Sequence, residues 1–147
     1  MKKIYFLALF VFTAVATKAQ TVTQAQLQGK WKMVGFKDEN GSVDVANGTW
    51  KVNDNSVSPK EDVDEQYNYI VEQAREALLK IEGNTASQVV MSKEMSSKFT
   101  LEYKDGKTYL VTEGRGQADM VQVFIDKGQM HLVNTQIKAE MVYNRVK

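Results

Sequence analysis

The chain has 147 residues, of which 19 are Lys or Arg and 18 are Asp or Glu, a formal charge of +1, and no cysteine. The balanced charge gives no basic excess for nucleic acid, and the lack of cysteine excludes disulfides, thiol catalysis and thiolate metal sites. Two Trp, six Tyr, six Phe and a single Pro are typical of a packed globular domain rather than a flexible linker.

Residues 1–19 have the pattern of an export signal. Lys2 and Lys3 precede an apolar run over residues 4–16, and Thr17-Lys18-Ala19 offers small residues at the two positions that a signal peptidase recognises. The run is shorter than the roughly 20 residues of a membrane span. We therefore expect cleavage after Ala19, a periplasmic or secreted protein, and no stable membrane insertion.

The remaining residues 20–147 have the length of one domain, which buries roughly two thirds of its unfolded surface. Loss of Lys2, Lys3 and Lys18 lowers the formal charge from +1 to −2. A mildly acidic domain is a poor partner for DNA or RNA, so no nucleic-acid partner is expected.

The first part of the domain predicts two strands. A short polar leader over residues 20–26 is expected to lie across a barrel end, and a first strand follows over residues 27–36. Asn40-Gly41 is typical of a tight hairpin turn. A second strand is predicted over residues 42–52, with a β-bulge at Asn47-Gly48.

A long helix is predicted next. Ser58 is expected to cap it, Pro59 suits its first position, and Glu61 stands three residues after the cap. Apolar residues then recur at three- and four-residue spacing until Gly83-Asn84 supplies a stop. The helix is predicted over about residues 59–82.

The rest of the chain alternates apolar and polar residues between regular turns, which predicts strands joined by short connections. Asp105-Gly106 accepts the positive φ angles of a type I′ hairpin turn. The six predicted strands are residues 87–93, 98–103, 107–113, 119–126, 130–134 and 137–146.

Eight strands and one helix predict a mainly β fold, an eight-stranded antiparallel up-and-down β-barrel. Closure of the barrel would leave no exposed sheet edges. The alternative is an α+β fold with the helix packed on an open, curved antiparallel sheet, as in cystatin-like proteins.

The two ends of the domain carry a structural signature. Gly29 and Trp31 open the first strand, and Arg145 lies in the last, so pairing of these strands would place the guanidinium on the indole face. This arrangement resembles the calycin families, the lipocalins and fatty-acid-binding proteins, and more closely the lipocalin-like domains of secreted bacterial proteins. The resemblance implies a barrel closed at one end by the Trp–Arg pair.

A binding function is the main expectation: a non-catalytic protein that holds a small apolar ligand in the barrel. Met adapts its shape to a ligand, and Tyr adds a hydroxyl to an apolar wall. The candidate cavity residues are Met33, Trp50, Tyr67, Met91, Phe99, Leu101, Tyr103, Tyr109, Val123, Met141 and Tyr143.

Two other function classes stay open. The first is a protein-interaction or inhibitor module with a filled barrel, binding another envelope protein, which an exposed aromatic patch near Tyr69 on the helix would favour. The second is an envelope enzyme that uses an acid pair or His131 in a cleft.

Catalytic, metal and cofactor signatures are weak. His131 is the only histidine and has no recognisable nucleophile partner or second metal-binding imidazole. Asp62, Asp64 and Glu65 suit a helix start better than a calcium loop. Gly114-Arg115-Gly116 lacks the strand-to-helix context of a phosphate loop. We therefore expect no enzyme, no metal and no cofactor.

Overall fold

The computed structural model describes residues 21–90, 92–114 and 117–147. The predicted export signal, Met91 and most of the predicted loop at Gly114-Arg115-Gly116 lie outside these residues. The elements in the described part of the chain are α1 (Gln24–Leu27), β1 (Gly29–Lys37), β2 (Gly41–Asp44), β3 (Thr49–Val52), α2 (Lys60–Glu76), β4 (Leu78–Glu82), β5 (Thr85–Val90), β6 (Lys93–Lys104), β7 (Lys107–Gly114), β8 (Gln117–Asp126), β9 (Gln129–Asn134) and β10 (Ala139–Arg145).

The strands close into a barrel. β4 to β10 follow one another as antiparallel neighbours, and β1 pairs with β4 on one side and with β10 on the other. β1 and β4 to β10 therefore form the predicted eight-stranded antiparallel barrel, and the open-sheet alternative is wrong. In the described part of the chain, no helix is long and apolar enough to span a membrane.

β1 takes part in two different neighbourhoods. Its first half, up to Lys32, pairs with β4, whereas from Gly35 onward the same edge pairs with β2. The register against β10 shifts between Met33 and Gly35, as at a β-bulge. The β2–β3 hairpin thus extends the sheet from one half of β1 and is not one of the eight barrel strands.

Buried side chains form a core inside the barrel. Alternate residues of the staves point inward, so each strand contributes one face to the core. The buried members of this barrel core are Val22, Leu27, Trp31, Ile81, Phe99, Val123, Met130, Leu132 and Tyr143.

The N-terminal leader closes one barrel end, as expected. Val22 and Leu27 are fully buried in the barrel core. The Val22 amide donates to Thr108 Oγ1 over 3.0 Å, and the Tyr103 hydroxyl donates to the Val22 carbonyl over 3.1 Å. The short α1 helix, with its Thr23–Gln26 capping box, was not predicted.

A second core lies beyond the other barrel end. Phe36 pairs with Met141 of the barrel core and also with Val43, so β2 and β3 continue the inner barrel surface past the rim. α2 packs on this continuation. The helix core consists of Val43, Val45, Val63, Tyr67, Val71 and Ala74.

The predicted end of the long helix is wrong. α2 has 17 residues and ends at Glu76, because Ala77 turns to an extended backbone with ψ 130° and Leu78–Glu82 forms β4. Ile81 is 1 % exposed in the barrel core while Leu78 is 39 % exposed, as strand alternation requires. Pairing with β1 and β5 outweighs the local helical spacing.

Two further local predictions differ from the structure. Pro59, not Ser58, occupies the N-cap position of α2, and no side chain caps that end. The predicted bulge at Asn47-Gly48 is a full turn, since Asp44 pairs with Thr49 and divides the expected second strand into β2 and β3. The predicted type I′ turn is confirmed by positive φ at Asp105 and Gly106.

Candidate functional site

The predicted Trp–Arg signature is present at the closed barrel end. Trp31 and Arg145 are Cα partners across β1 and β10, and the guanidinium carbon lies 4.3 Å from the indole ring centroid. Gly29 has φ +119°, and a Cβ at this position would lie 3.0 Å from Arg145 Nη1. Glycine is therefore required both by the backbone angle and by the space that the guanidinium occupies.

Hydrogen bonds fix this pair to the leader. Arg145 donates to the carbonyls of Gln28 and Gln26, the latter over 2.6 Å, and Trp31 Nε1 donates to the Leu27 carbonyl over 2.8 Å. The guanidinium thus joins the last strand to the end of α1. Two guanidinium nitrogens of Arg145 are engaged by carbonyls, and the Trp31 ring is covered by the guanidinium. We therefore assign this end of the barrel a structural role and not a ligand-binding one.

The candidate cavity residues do not form one group. Phe99, Val123 and Tyr143 are buried in the barrel core, with Leu101 and Met141 partly buried against it. Met33 contacts both cores. These side chains lie in the part of the barrel in which a ligand was expected.

Trp50 and Tyr67 belong instead to the contact between α2 and the β2–β3 hairpin. Trp50 Nε1 donates to Asp64 Oδ1 over 2.8 Å, and the Tyr67 hydroxyl donates to Asp38 Oδ1 over 2.5 Å. Burial, and next the bond to Asp38, raise the pKa of Tyr67 well above its usual value. Both aromatic residues therefore anchor the helix.

The remaining candidates lie elsewhere. Tyr103 is 57 % exposed and uses its hydroxyl to hold Val22. Tyr109 pairs with Glu102 and Gln122, and the next residue, Leu110, packs on the barrel core. Alternation therefore places Tyr109 on the outer face, whereas Met91 lies outside the described residues.

The last turn of α2 lies at the edge of the closed barrel. β4 begins at Leu78, directly after α2, and pairs with β5 as far as Gln88 and with β1 as far as Lys32. A cleft of about 160 Å³ opens at this position, named here the α2–β5 cleft. It is lined by Met33, Tyr69, Ile70, Gln73, Ala74, Ala77, Gln88 and Val89.

The α2–β5 cleft is mainly apolar and reaches the surface. Tyr69 is 48 % exposed and Val89 is 54 % exposed, whereas Ala74 is buried. Gln73 and Gln88 are half-buried and bring side-chain amides to an otherwise apolar wall. The volume is close to that of a cavity that holds a single benzene-sized ring, about 150 Å³.

Sequence reasoning found only part of this cleft. Met33 was a cavity candidate and Tyr69 marked the helix surface, but Gln73, Gln88 and Val89 were not singled out. The cleft depends on where α2 ends. Because α2 ends at Glu76, its last turn lies opposite β5 and the helix does not continue across the barrel.

Two larger depressions on the described surface include charged side chains. One of about 370 Å³ lies between the β1–β2 and β9–β10 turns and includes Lys37, Asp38 and Glu140. An ion pair between Lys138 and Glu39, 3.1 Å long, contributes to its wall. Another, of about 670 Å³, lies along β6 with Ser96, Ser97, Lys98 and Glu102 among its residues, and its half-polar lining suits an apolar ligand less well than that of the α2–β5 cleft.

His131 lies on the outer barrel face, away from the α2–β5 cleft. Its ring stacks on Phe124 with centroids 4.5 Å apart, and Nδ1 lies 2.7 Å from Glu140 Oε1. Nε2 is buried and has no hydrogen-bond partner in the described part of the chain. The contacts around the imidazole are those of a packed side chain, with no hydroxyl nucleophile among them.

Acidic residues give no candidate metal centre. Across residues 21–90, 92–114 and 117–147, no three His, Asp or Glu side chains are grouped so that they could hold an ion. Asp64 is committed to Trp50, as described above, and Glu61 and Asp62 occupy the first turn of α2. Acidic side chains there interact favourably with the helix dipole.

Comparisons with known proteins bear on the fold alone. No protein-family model matches the chain, and no curated protein matches its sequence. Among solved structures, a DUF4847 family protein from Bacteroides vulgatus is similar, with a TM-score of 0.49 and 10 % sequence identity. The match covers 82 % of this chain and 94 % of the other.

Proposed function

We propose that this protein is a non-catalytic binding module that holds a small apolar group in the α2–β5 cleft. The observation that carries this proposal is an open, mainly apolar cleft between the last turns of α2 and the end of β5, at the edge of the barrel. The interior below it is occupied by core side chains. The binding site is thus at the rim and not deep in the barrel.

The dimensions of the cleft define the chemical class of the ligand. A space of about 160 Å³ accepts one aromatic ring or a short branched alkyl group, and it is smaller than the roughly 300–1,000 Å³ of typical drug-sized sites. The amides of Gln73 and Gln88 offer hydrogen bonds to a polar atom of the ligand. The ligand is therefore a small amphiphilic molecule with its apolar end against Met33 and Ala74.

Residues 1–19 support the remaining part of the proposal, which is export to the periplasm or beyond. A charged start, an apolar run and small residues before the expected cleavage point form this signal. The Trp31–Arg145 closure supports a lipocalin-like barrel as the exported domain. Cell fractionation after expression of the full chain, with N-terminal sequencing of the product, tests export. A protein that is found in the cytoplasm and still carries residues 1–19 would contradict export.

A second candidate function is supported by the exposed rim of the cleft. Tyr69 and Val89 present apolar surface to solvent at the entrance, and such surface is common at protein-binding sites. An apolar side chain of another envelope protein would then occupy the cleft in place of a free ligand. The two candidate functions use the same cleft. They differ in whether the bound apolar group belongs to a free small molecule or to a side chain of another protein.

Filling the cleft tests the site. Ala77→Phe places a ring in the α2–β5 cleft, and Ala25→Phe makes the same change on exposed α1 at the other barrel end. Binding of a small apolar fluorescent probe to residues 20–147 should weaken about tenfold in Ala77→Phe, equivalent to about 1.4 kcal/mol, and stay unchanged in Ala25→Phe. Equal binding by both variants would exclude the cleft.

Native mass spectrometry distinguishes the two candidate functions. Protein purified gently from its own host is weighed before and after extraction with organic solvent. An extra mass that extraction removes indicates a small ligand and identifies its class. A bare mass, together with a co-purified polypeptide that Ala77→Phe releases, favours the interaction module.

A further inference from the structure

Two Asn-Gly dipeptides flank β2, and the structure gives them different environments. Asn40-Gly41 lies where β1 turns into β2, and Asn47-Gly48 lies in the turn between β2 and β3. Asn-Gly is chemically labile because glycine has no side chain to hinder attack by its own amide nitrogen on the asparagine side chain. Local structure decides whether that attack takes place in a folded protein.

The first dipeptide is held in place. Asn40 is 8 % exposed, and its Oδ1 accepts hydrogen bonds from Ser56 Oγ, Val57 N and Ser58 N over 2.9, 3.0 and 3.3 Å. The Gly41 amide, which would be the nucleophile, donates to Asp38 Oδ1 over 3.1 Å. Both reacting groups are therefore engaged and shielded from water.

In the second dipeptide the asparagine is open to solvent and the glycine is half-buried. Asn47 is exposed, and its hydrogen bonds run from N and Nδ2 to the Asp44 carboxylate, over 3.0 and 2.7 Å. In the described part of the chain, neither Asn47 Oδ1 nor the Gly48 amide nitrogen has a hydrogen-bond partner. Gly48 has φ +67°, and no strand pairing covers it, since Asp44 and Thr49 are the last pair of the hairpin.

We propose that Asn47-Gly48 is a site of spontaneous deamidation in the native protein, whereas Asn40-Gly41 is protected. The Gly48 nitrogen attacks Asn47 Cγ, a new N–C bond forms, the Cγ–Nδ2 bond breaks, and the leaving NH2 group takes the proton of the Gly48 amide and departs as ammonia. Water then opens the resulting succinimide at either carbonyl. The products are aspartate or isoaspartate at position 47.

The modification changes the support of α2. A Cβ at Gly48 would lie 2.7 Å from Arg75 Nη2 and 3.6 Å from Val71 Cγ1, so this backbone contacts the helix closely. Isoaspartate lengthens the backbone by one carbon at that contact. Deamidation also replaces the Nδ2 donor with a carboxylate beside Asp44, whose own pKa is lowered by its bonds to Asn47, so two negative charges come together.

Peptide mapping of aged protein tests the site. Residues 20–147 are incubated at mildly alkaline pH, digested, and analysed for the mass gain of an amide-to-acid exchange and for isoaspartate. In the folded protein, Asn47 should react more than about tenfold faster than Asn40, because Asn40 requires local opening. In concentrated urea the two rates should converge, and equal rates in the folded protein would overturn the proposal.

A blocking variant tests the consequence for α2. Asn47→Gln keeps an amide, but its longer side chain would have to close a six-membered ring, which forms far more slowly, so the isoaspartate signal should be absent. Ageing should lower the thermal midpoint of the parent protein and leave that of Asn47→Gln unchanged. An aged parent protein that carries isoaspartate at position 47 with its original midpoint would overturn the link to α2.

Discussion

Arg145 of the last strand covers the ring of Trp31 in the first barrel strand, with the guanidinium carbon 4.3 Å from the ring centroid. The same guanidinium holds two carbonyls of the segment that leads from α1 into β1. The Arg145 side chain therefore joins the N-terminal leader to the first and last barrel strands, β1 and β10. The seam at which the barrel closes is stabilised by contacts between residues more than a hundred positions apart.

Arg145→Ala should weaken this seam. Loss of the cation–π contact and of two hydrogen bonds to carbonyls is expected to lower the free energy of unfolding by about 1–2 kcal/mol. Urea unfolding followed by Trp fluorescence measures the change. Arg145→Lys should restore only part of the loss because an ammonium cannot bridge both carbonyls while covering the ring, and Lys147→Ala is the neutral control.

Thr108→Val should loosen the leader. Thr108 is 1 % exposed and its hydroxyl is the acceptor for the Val22 amide, so the isosteric valine leaves a buried donor without a partner. The expected loss is about 1–3 kcal/mol. Thr100→Val, the same change at an exposed position of β6, should have little effect, and equal thermal midpoints for the two variants would contradict the role of Thr108.

Ile81→Ala and Leu78→Ala should differ strongly, because β4 is a strand with one buried face. Ile81 is 1 % exposed, so its truncation leaves a cavity in the barrel core and should cost about 2–5 kcal/mol. Leu78 is 39 % exposed, and its truncation should stay within about 0.5 kcal/mol. Similar losses in urea unfolding would argue against the alternation of β4.

Tyr143 should make stability fall at alkaline pH. Burial raises the pKa of its hydroxyl from 10.0 to about 12 in the folded protein, so the folded state keeps a proton that the unfolded state loses. The stabilisation from this group is fully present below about pH 10 and disappears as pH rises toward 12. Its slope approaches about 1.4 kcal/mol per pH unit within that interval.

Tyr143→Phe tests this dependence. The hydroxyl makes only a long contact, 3.8 Å, to Met141 Sδ, so the variant should be nearly as stable as the parent at neutral pH. Between pH 10 and 12 its free energy of unfolding should fall less steeply than that of the parent. Tyr67, whose pKa is raised in the same direction, leaves a residual slope in the variant; parallel curves for parent and variant would rule out the contribution of Tyr143.

Much of the architecture could be predicted because local chemistry determines it. Asp105-Gly106 has the positive φ angles that its turn requires, and the alternation after residue 85 predicts staves with one apolar face. Gly29, Trp31 and Arg145 predicted the seam. Each of these patterns satisfies a backbone or packing need that few other residues can meet.

The candidate site was predicted only in part. Period-two alternation identified Phe99, Val123 and Tyr143 as inward-facing, but it cannot distinguish a side chain that fills a barrel from one that lines a cavity. Trp50 and Tyr67 satisfy the same apolar criterion and yet serve the helix core. The spacing of apolar residues carries no information about which of two neighbouring cores receives them.

The sequence by itself determined the barrel class, the Asp105-Gly106 turn and the Trp31–Arg145 seam, since these follow from side-chain period and residue-specific backbone angles. Tertiary structure alone decided where α2 ends, because the residues after Ala77 gain more from pairing with β1 and β5 than from another helical turn. The early end of α2 places its last turn beside β5. The α2–β5 cleft lies between this last helical turn and β5. The local spacing of apolar residues could not predict the cleft, because that spacing contains no information about long-range strand pairing.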